Sequence, residues 1–418
     1  YLSIIIIFYF FYGFYTDENS AGAGGYNGDL KLIWYNLELL KQGIISNLDN
    51  TNYNDSRPPL SYILHIFFNP FINNMEEFRV SNFFISSLIP FLLFFSIKEK
   101  YKNLNKNLIL LFSVVVTLSP YFRTTSYWAL GENYGIIFLL LSYLTFSKIK
   151  KNLKNYNSFK LILSFFFVCL FSSLIVYFDQ KLVFIPLLVL YLISNLKINS
   201  KYKFISLIFF FILSLPYFYL TYLWQGLIPT SANAAREFGS KLHYYNPGYC
   251  ITILTISIFP FLFAKKLNFK KFFIETFNKK LLVCLSIFLI YLLVVIFLGD
   301  FENLRIEGKG AFHKMLLILI SNNNLRLFFT LVAFLIGLIF TLILFKEKID
   351  FFIIGYLLVL SLFTFPFYQE YLDPLLYILI FSFFNSKFKF DNKITLLFIT
   401  FYYVVFSLSS KFYYHFTI

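Results

Sequence analysis

Arginines are the residues of this chain whose type and distribution point most directly to chemistry. Only six of the 36 basic residues are arginine, namely Arg57, Arg79, Arg123, Arg236, Arg305 and Arg326. The guanidinium group binds phosphate through a planar fork that the lysine ammonium cannot reproduce. A composition so rich in Phe, Lys, Asn and Ile is typical of an AT-rich genome, in which arginine drifts to lysine. The retained arginines therefore predict a site for a phosphate-bearing ligand.

An acidic pair, Asp17 and Glu18, directly follows the first apolar run of the chain. Negative charge at the C-terminal end of a helix is unfavourable for the helix dipole, so capping does not explain the pair. The alternative to a functional role is a solvated helix end whose acids only set the topology. We favour a functional role for the pair.

The elements that position these residues are predicted to be membrane-spanning helices. The chain is 59% apolar, and a spanning helix needs roughly 20 mostly apolar residues. Apolar runs separated by short polar loops predict an all-α polytopic membrane protein with about thirteen transmembrane helices. The runs are 1–14, 80–96, 107–120, 133–147, 160–177, 182–195, 204–223, 248–264, 281–298, 327–345, 351–366, 373–386 and 394–410.

Lysine clusters predict the topology. Most of the basic residues lie in alternate loops, at 98–106, 148–160, 197–203, 265–280, 346–348 and 387–393. The positive-inside rule makes these loops cytoplasmic, which leaves all six arginines and the acidic pair outside. The net charge of +15 then indicates contact with anionic membrane lipids and no nucleic-acid partner. We expect a bacterial inner (plasma) membrane protein whose site faces the periplasm or exterior, although interfacial anchoring explains any single arginine.

The whole chain, 1–418, is predicted to form one transmembrane domain. It begins with Tyr1 rather than Met, so we expect a few N-terminal residues to be missing. The cysteines, Cys169, Cys250 and Cys284, have neither disulfide nor metal-ligand spacing and are expected to pack as small apolar residues.

The first external loop, residues 15–79, is the largest. Within it, Asp29–Gln42 has apolar residues at roughly helical spacing, which predicts an amphipathic helix in the membrane interface. Arg57 is followed by Pro58-Pro59, and proline is tolerated in the first turn of a helix. A second short interfacial helix is therefore predicted to begin there and to extend to Phe71.

The order of these motifs resembles that of the GT-C glycosyltransferases. The quoted motifs are an acidic pair after the first span, an amphipathic helix, Arg57-Pro58-Pro59-Leu60-Ser61-Tyr62, and Met75-Glu76-Glu77-Phe78-Arg79 before the next span. The resemblance is closest to the branch with the protein O-mannosyltransferases and the lipid A aminoarabinose transferase. The chain departs from that branch by the insertion 21–26 and by lacking an arginine in Tyr368–Pro374. We also expect it to differ in having no soluble domain after the last span.

The resemblance implies an enzyme that transfers a sugar, with inversion, from a polyprenyl-phosphate carrier to a lipid, glycan or protein acceptor on the outer face. Such a transfer needs a carboxylate base and cations for the leaving phosphate. Asp17 is the leading base and Glu18 its close rival. The predicted donor phosphate ligands are Arg57, Arg79, Arg123 and Arg236. The sequence indicates no definite cofactor and leaves metal dependence open, because some members of the superfamily use a divalent ion, which Asp17 and other carboxylates would hold here.

The predicted substrate-binding residues come from two external segments. Tyr62 belongs to the Pro-Pro motif, and Tyr127, Trp128 and Glu132 belong to a segment rich in hydroxyls and aromatics that suits sugar stacking. The alternative for the aromatics is an ordinary belt at the membrane interface. His243 and His313 lie in the external loops 224–247 and 299–324 without ligand-spaced partners, so we do not expect them to bind metal.

Two other classes of protein compete with this interpretation. A lipid flippase would also have many spans, but transporters often contain internal repeats and midplane ionisable groups, and the sequence shows neither. An O-antigen polymerase or ligase usually carries its arginines in one large late external loop. Here the largest loop is the first, and it carries the acids.

Overall fold

The computed structural model describes residues 1–19, 26–48, 52–232, 241–264, 280–298, 309–364, 367–386, 388, 390 and 393–416. Among these residues the secondary structure is helical, with no β-strand. The all-α prediction is thereby confirmed. The chain divides into two compact units, Tyr1–Arg236 with Lys411–Ile418, and Glu237–Ser410.

The first unit contains twelve described α-helices. They are α1 (Leu2–Tyr15), α2 (Lys31–Lys41), α3 (Ile44–Asn47), α4 (Leu60–Phe68), α5 (Met75–Ser86), α6 (Leu88–Lys100), α7 (Lys106–Val115), α8 (Pro120–Tyr127), α9 (Glu132–Asn152), α10 (Ser158–Phe178), α11 (Phe184–Ser194) and α12 (Ser200–Leu223).

The described part of the second unit continues with α13 to α18. These are α13 (Asn246–Leu262), α14 (Lys280–Leu298), α15 (Gly310–Leu319), α16 (Asn323–Leu344), α17 (Lys348–Leu362) and α18 (Leu375–Ile380). The last helix, α19 (Lys393–Phe416), carries both the end of this unit and Lys411 of the first one.

Six described helices are long and apolar enough to cross a membrane. They are Met75–Lys100, Ser158–Phe178, Ser200–Leu223, Leu281–Leu298, Asn323–Leu344 and Leu396–Tyr413. The bent pair Lys106–Leu118 and Pro120–Tyr127, with an angle of 71° at its break, would make a seventh. These helices agree with an integral membrane protein, but the thirteen predicted spans are not confirmed.

Helix length accounts for most of the difference in the number of spans. Several predicted runs form helices shorter than the roughly 20 residues that a bilayer requires. The run 1–14 is a helix of 14 residues, 182–195 contains one of 11, and 373–386 contains one of only 6. An apolar run shows that a segment avoids water, but it does not determine how many of its residues form one continuous helix.

Both helices predicted in the first loop are present. The amphipathic one is α2, which buries Ile33, Leu37 and Leu40 on one face and so follows the apolar spacing of its sequence. The second is α4, for which Pro59 occupies the N-cap position. Next along the chain, α5 begins where the Asn74 side chain accepts a hydrogen bond from the Glu77 N–H.

An aromatic cluster holds α1 against its neighbours. The ring of Phe10 lies 5.2 Å from that of Phe83 on α5, 5.6 Å from that of Phe122 and 5.4 Å from that of Tyr127, both on α8. Phe14, one turn later, stacks on Phe83 with 4.1 Å between the ring centroids. This packing brings the C-terminal end of α1 against α5 and α8, where the charged residues lie.

Candidate functional site

The acidic pair lies in the turn that ends α1. Asp17 has a left-handed backbone conformation, with φ 52°. Its N–H donates to the Phe14 carbonyl at 3.3 Å, and the Glu18 N–H donates to the Gly13 carbonyl at 2.9 Å. This is the Schellman arrangement, in which Asp and Asn are among the better-tolerated non-glycine residues. The two adjacent side chains have opposite surroundings, since that of Asp17 is 65% exposed and that of Glu18 is 2% exposed.

Arg79 on α5 holds the Asp17 carboxylate. Its Nη2 lies 2.5 Å from Asp17 Oδ1 and also donates to the Phe14 carbonyl at 3.2 Å. Its Nε donates to the Tyr127 carbonyl at 2.8 Å, and its Nη1 donates to both Glu76 oxygens, at 3.1 and 3.3 Å. A guanidinium has five N–H groups, so these acceptors satisfy it. The exposed Asp17 carboxylate is therefore fixed by a side chain that is only 6% exposed.

Arg123 on α8 holds Glu18 in a two-pronged ion pair. Its Nε donates to Glu18 Oε1 at 2.8 Å and its Nη2 donates to Oε2 at 2.7 Å. Lys411 on α19 places its Nζ 3.3 Å from the same Oε2. Arg123 is fully buried and lies 4.0 Å from the Tyr9 ring centroid. Such a buried pair fixes the turn, and Glu18 is much less accessible to a substrate than Asp17.

Aromatic rings enclose the two arginines. The Arg79 guanidinium lies between the rings of Phe14 and Trp128, at 4.6 and 4.4 Å from their centroids. The Tyr127 hydroxyl donates to the Phe10 carbonyl at 2.6 Å. Tyr127 and Trp128 are both buried. In this structure the two predicted sugar-stacking residues pack against charged and apolar protein groups, and neither presents an open ring face.

A second charged cluster contains the remaining described candidates. Arg57 Nη2 lies 2.5 Å from Glu132 Oε1, and the Tyr62 hydroxyl donates to Asp55 Oδ2 at 2.5 Å. Burial raises the pKa of Glu132, but the charges of Arg57 and Lys181 outweigh it and hold that pKa below its usual value. Glu132 is therefore a carboxylate with a fixed cationic partner.

A polar network around His65 lies beside this second cluster. The Tyr134 hydroxyl donates to Asn82 Oδ1 at 2.7 Å and lies 2.6 Å from His65 Nε2, while the Asn69 amide nitrogen is 2.8 Å from His65 Nδ1. This pattern fits a neutral imidazole with its proton on Nε2. Burial lowers the pKa of His65 to about 4, although the Asn82 hydrogen bond opposes that shift. A cavity of about 10 Å³ at this place has room for roughly one water molecule.

An apolar groove of about 820 Å³ lies among α10, α11 and α12. Leu187, Phe211 and Phe218 are among its lining residues. Gln180, at one of its borders, donates from its amide to the Ser56 carbonyl at 3.1 Å and the Leu227 carbonyl at 3.0 Å. The groove has the apolar character and size to accept a hydrocarbon chain.

No protein-family model, curated protein or solved structure matches this chain.

The structure sorts the predicted site residues into two groups. Six of them meet at the end of α1: Asp17, Glu18, Arg79, Arg123, Tyr127 and Trp128. Arg57, Tyr62 and Glu132 belong to the second cluster. Arg236 lies outside the described residues. The substrate roles of all these residues stay predictions.

The donor set at Asp17 does not fit the alternative of a bound divalent ion. The Asp17 carboxylate is already paired with Arg79. Among the described residues, no group of three or more His, Cys, Asp or Glu side chains could hold a metal ion. Hard divalent cations in proteins take several oxygen ligands, so we derive no chemical step from a metal.

Sequence reasoning missed three partners of the candidate residues. Glu76, which binds Arg79, was detectable because residues three apart on a helix are neighbours. Asp55 and Lys411 carry no comparable local signal. Lys411 is 393 residues away from Glu18 in the sequence, and only the packing of the last helix shows their contact.

Proposed function

We propose that this chain is a membrane glycosyltransferase. In this proposal it moves a hexose or pentose from a polyprenyl-phosphate donor to an acceptor at the outer face of a bacterial inner membrane, with inversion. The observation that carries the proposal is the Asp17 carboxylate, which is 65% exposed and yet held 2.5 Å from the buried Arg79. A general base must be both accessible to its substrate and fixed in position.

The proposed reaction uses Asp17 for proton transfer. The Asp17 carboxylate takes the proton of the acceptor hydroxyl while that oxygen forms a bond to the anomeric carbon of the sugar. The bond between this carbon and the donor phosphate oxygen breaks, and the phosphate leaves with the electron pair. Attack from the face opposite the phosphate inverts the anomeric configuration. Cations near the departing oxygen lower the barrier because they stabilise its developing charge.

The arginines take two different parts in this proposal. Arg79 is a positioning residue, since carboxylate and carbonyl oxygens of the protein already occupy its donor groups. Arg123 is also a positioning residue, because it is fully buried and its Nε and Nη2 are bound to Glu18, while its buried Nη1 has no hydrogen-bond partner among the described residues. Cationic side chains that are still partly exposed to solvent are better suited to bind the donor phosphate. These are Arg57, whose side chain is 29% exposed, and Lys411, whose side chain is 40% exposed. Lys411 is the nearer of the two to the acidic turn.

Sugar transfer in membranes that contain the full chain tests the proposal. The donors are a panel of radiolabelled polyprenyl-phosphate sugars, and the variants are Asp17→Asn and the control Glu38→Gln. Asparagine tolerates the left-handed conformation of residue 17, so Asp17→Asn removes the charge without disturbing the turn. Glu38 is an exposed acid on α2, in the same loop.

We expect wild type and Glu38→Gln to consume one donor and Asp17→Asn to lose at least about a hundredfold in rate, as for loss of a general base. Product analysis identifies a lipid, glycan or protein acceptor. Full activity of a folded Asp17→Asn protein would reject Asp17 as the base, and failure of every donor would reject the reaction.

The apolar groove supports a second candidate, a lipid transporter. A groove of this volume among α10, α11 and α12 can accommodate a hydrocarbon chain, and a flippase needs such a surface. Transport predicts movement of a labelled lipid between bilayer leaflets without chemical change. It also predicts that Asp17→Asn does not alter that movement, so reconstituted vesicles separate the two functions.

A further inference from the structure

A cluster of basic side chains surrounds the start of α15 in the second unit. Lys309 precedes the helix in a left-handed conformation, with φ 65°, and its N–H donates to the Phe367 carbonyl at 2.7 Å. Its side chain is buried, and its Nζ lies 5.5 Å from the Tyr249 ring centroid. The His313 ring, one turn further along α15, packs edge-on against the same tyrosine with 5.5 Å between centroids. Tyr249 thus brings the two basic residues together.

Arg326, in the first turn of α16, is a second cation whose charge acts on Lys309 and His313. Burial and then Arg326 lower the pKa of Lys309 to about 8. Burial, Lys309 and Arg326 together lower the pKa of His313 to about 4. The charged groups that lower these two pKa values are therefore the cations Lys309 and Arg326, and the His313 imidazole stays neutral near pH 7.

The neighbouring Lys314 provides a contrast. Burial lowers its pKa to about 8 as well, but the charge of Glu370 opposes that shift. Among the described residues, no carboxylate lies within ion-pair distance of Lys309 or Arg326. Burying cations without a counter-charge is costly, so this cluster favours an anion.

Gln369 supplies a neutral donor at the same place. Its side-chain oxygen accepts the Ala311 N–H at 2.7 Å, which fixes the amide at the N-terminal end of α15. Gln369 is only 1% exposed. Its Nε2 and the Nδ1 of His313 are buried atoms without a hydrogen-bond partner within the described part of the chain. A buried donor left unpaired is rare and costs about 1–3 kcal/mol.

We propose that Lys309, Arg326, His313 and Gln369 form a binding site for a phosphate group at the N-terminus of α15. The helix N-terminus attracts negative charge through its dipole and its free N–H groups. A phosphate has enough oxygens to accept a hydrogen bond from the Gln369 amide and to form ion pairs with the cations at the same time. The group belongs either to free inorganic phosphate or to a lipid headgroup. The site is independent of glycosyl transfer, because it uses none of the residues at the end of α1.

Phosphate binding to the purified full chain tests the proposal. One arm measures binding of radiolabelled inorganic phosphate in detergent by equilibrium dialysis. The other arm compares the thermal midpoint in nanodiscs of phosphatidylcholine alone with that in nanodiscs that also contain phosphatidic acid. The variants are Lys309→Gln and the control Lys346→Gln, which removes an exposed lysine of the same unit.

We expect wild type and Lys346→Gln to bind a phosphate in at least one arm and Lys309→Gln to bind it at least tenfold more weakly. Binding in the first arm identifies free phosphate, and stabilisation only by phosphatidic acid identifies a lipid headgroup. No binding in either arm, or equal binding by wild type and Lys309→Gln, overturns the proposal.

The stability of the phosphate-free protein separates this role from a structural one. Because Lys309 is repelled by Arg326 and has no carboxylate within ion-pair distance in the described part of the chain, Lys309→Gln should raise the thermal midpoint when phosphate is absent and reduce the stabilisation that phosphate confers. A lysine with a purely structural role gives the opposite result, a lower midpoint and an unchanged response to phosphate.

Discussion

Asp17 and Glu18 are adjacent in the chain, but two different arginines hold them. Asp17 Oδ1 lies 2.5 Å from Arg79 Nη2, whereas Glu18 Oε2 lies 2.7 Å from Arg123 Nη2. The first carboxylate is largely exposed and the second is buried. The left-handed backbone at Asp17 produces this division, and it gives the two acids separable roles.

Glu18→Gln should destabilise the protein far more than Asp17→Asn does. Removing the Glu18 charge leaves Arg123 buried without its carboxylate, and breaking a buried pair costs about 3–5 kcal/mol. Asp17 is mostly exposed, so its pair contributes about 1 kcal/mol or less, and Arg79 retains Glu76 and two carbonyls. Thermal unfolding of the two variants in detergent checks this order. Equal losses would mean that the two ion pairs do not differ as described.

Arg123→Lys should also destabilise the protein although the charge is kept. The guanidinium makes two parallel bonds to Glu18, at 2.8 and 2.7 Å, and a lysine cannot reproduce both. We expect a loss of about 1–3 kcal/mol, the order of a hydrogen bond to a charged group. Arg326→Lys is the matched control, since Arg326 makes no ion pair among the described residues. A stability of Arg123→Lys equal to that of this control would contradict the prediction.

Local sequence patterns predicted the helices of the first loop but not the arrangement of its charges. The apolar spacing of 29–42 and the position of Pro59 both correspond to helices, α2 and α4. The sequence, which shows only two adjacent acids, could not predict that Asp17 is exposed and Glu18 is buried. It depends on the turn at Asp17 and on α8, which brings Arg123 from 105 residues away.

The number of spans was harder to predict than the helical class. Hydropathy marks apolar runs, but a run can be divided by turns that burial within the protein permits. The segment 373–386 is an example, because it contains a helix of only 6 residues and then a turn. The cluster at Lys309 could not be predicted either, since its members come from the start of α15, from α16 and from the short 3-10 helix Gln369–Tyr371.

Acid should destabilise the wild-type protein partly through His65. The native pKa of His65 is about 4, below the value of 6.5 for an unperturbed histidine. Between these values the unfolded chain binds a proton that the native protein does not. The contribution of His65 to the free energy of unfolding is therefore fully present above pH 6.5 and is lost as the pH falls toward 4. The loss is about 1.4 kcal/mol per pH unit and about 3 kcal/mol in total.

Comparison with His65→Gln isolates this contribution. Glutamine does not titrate, so the difference in thermal midpoint between wild type and variant should narrow as the pH falls from 7 to 4.5. Tyr134, Asn82 and Asn69 surround the imidazole and stay uncharged over this range. A difference that does not change with pH would mean that His65 is protonated in the native protein.

Arg57 and Glu132 should show favourable coupling in a double-mutant cycle. Their atoms are 2.5 Å apart, and their side chains are 29% and 13% exposed. Each single variant, Arg57→Gln or Glu132→Gln, leaves one partly buried charge without its partner. The double variant removes both charges and leaves no unpaired charge at this pair. We expect a coupling energy of at least about 1 kcal/mol in the unfolding free energy. A value near zero would mean that the Arg57–Glu132 ion pair does not contribute to stability as described.

Gly13→Ala should be among the most damaging single-methyl changes in the chain. An added Cβ at Gly13 would lie 2.3 Å from Arg123 Nη2, 2.6 Å from the Tyr127 hydroxyl and 2.9 Å from Glu18 Oε2. These atoms belong to the buried pair and to a fixed tyrosine, so they cannot move without breaking hydrogen bonds. Overpacking of this kind costs about 1–3 kcal/mol, and loss of the ion pair adds to it.

Gly355→Ala provides the matched control for that prediction. Gly355 also lies within a helix, α17, and its added Cβ meets no atom within 4 Å. Alanine favours a helix over glycine by about 1 kcal/mol, so Gly355→Ala should be neutral or slightly stabilising. Thermal unfolding of both variants in the same detergent measures the contrast. A Gly13→Ala protein as stable as Gly355→Ala would show that the end of α1 does not pack against the Glu18–Arg123 pair, and the geometry assigned to Asp17 would fail with it.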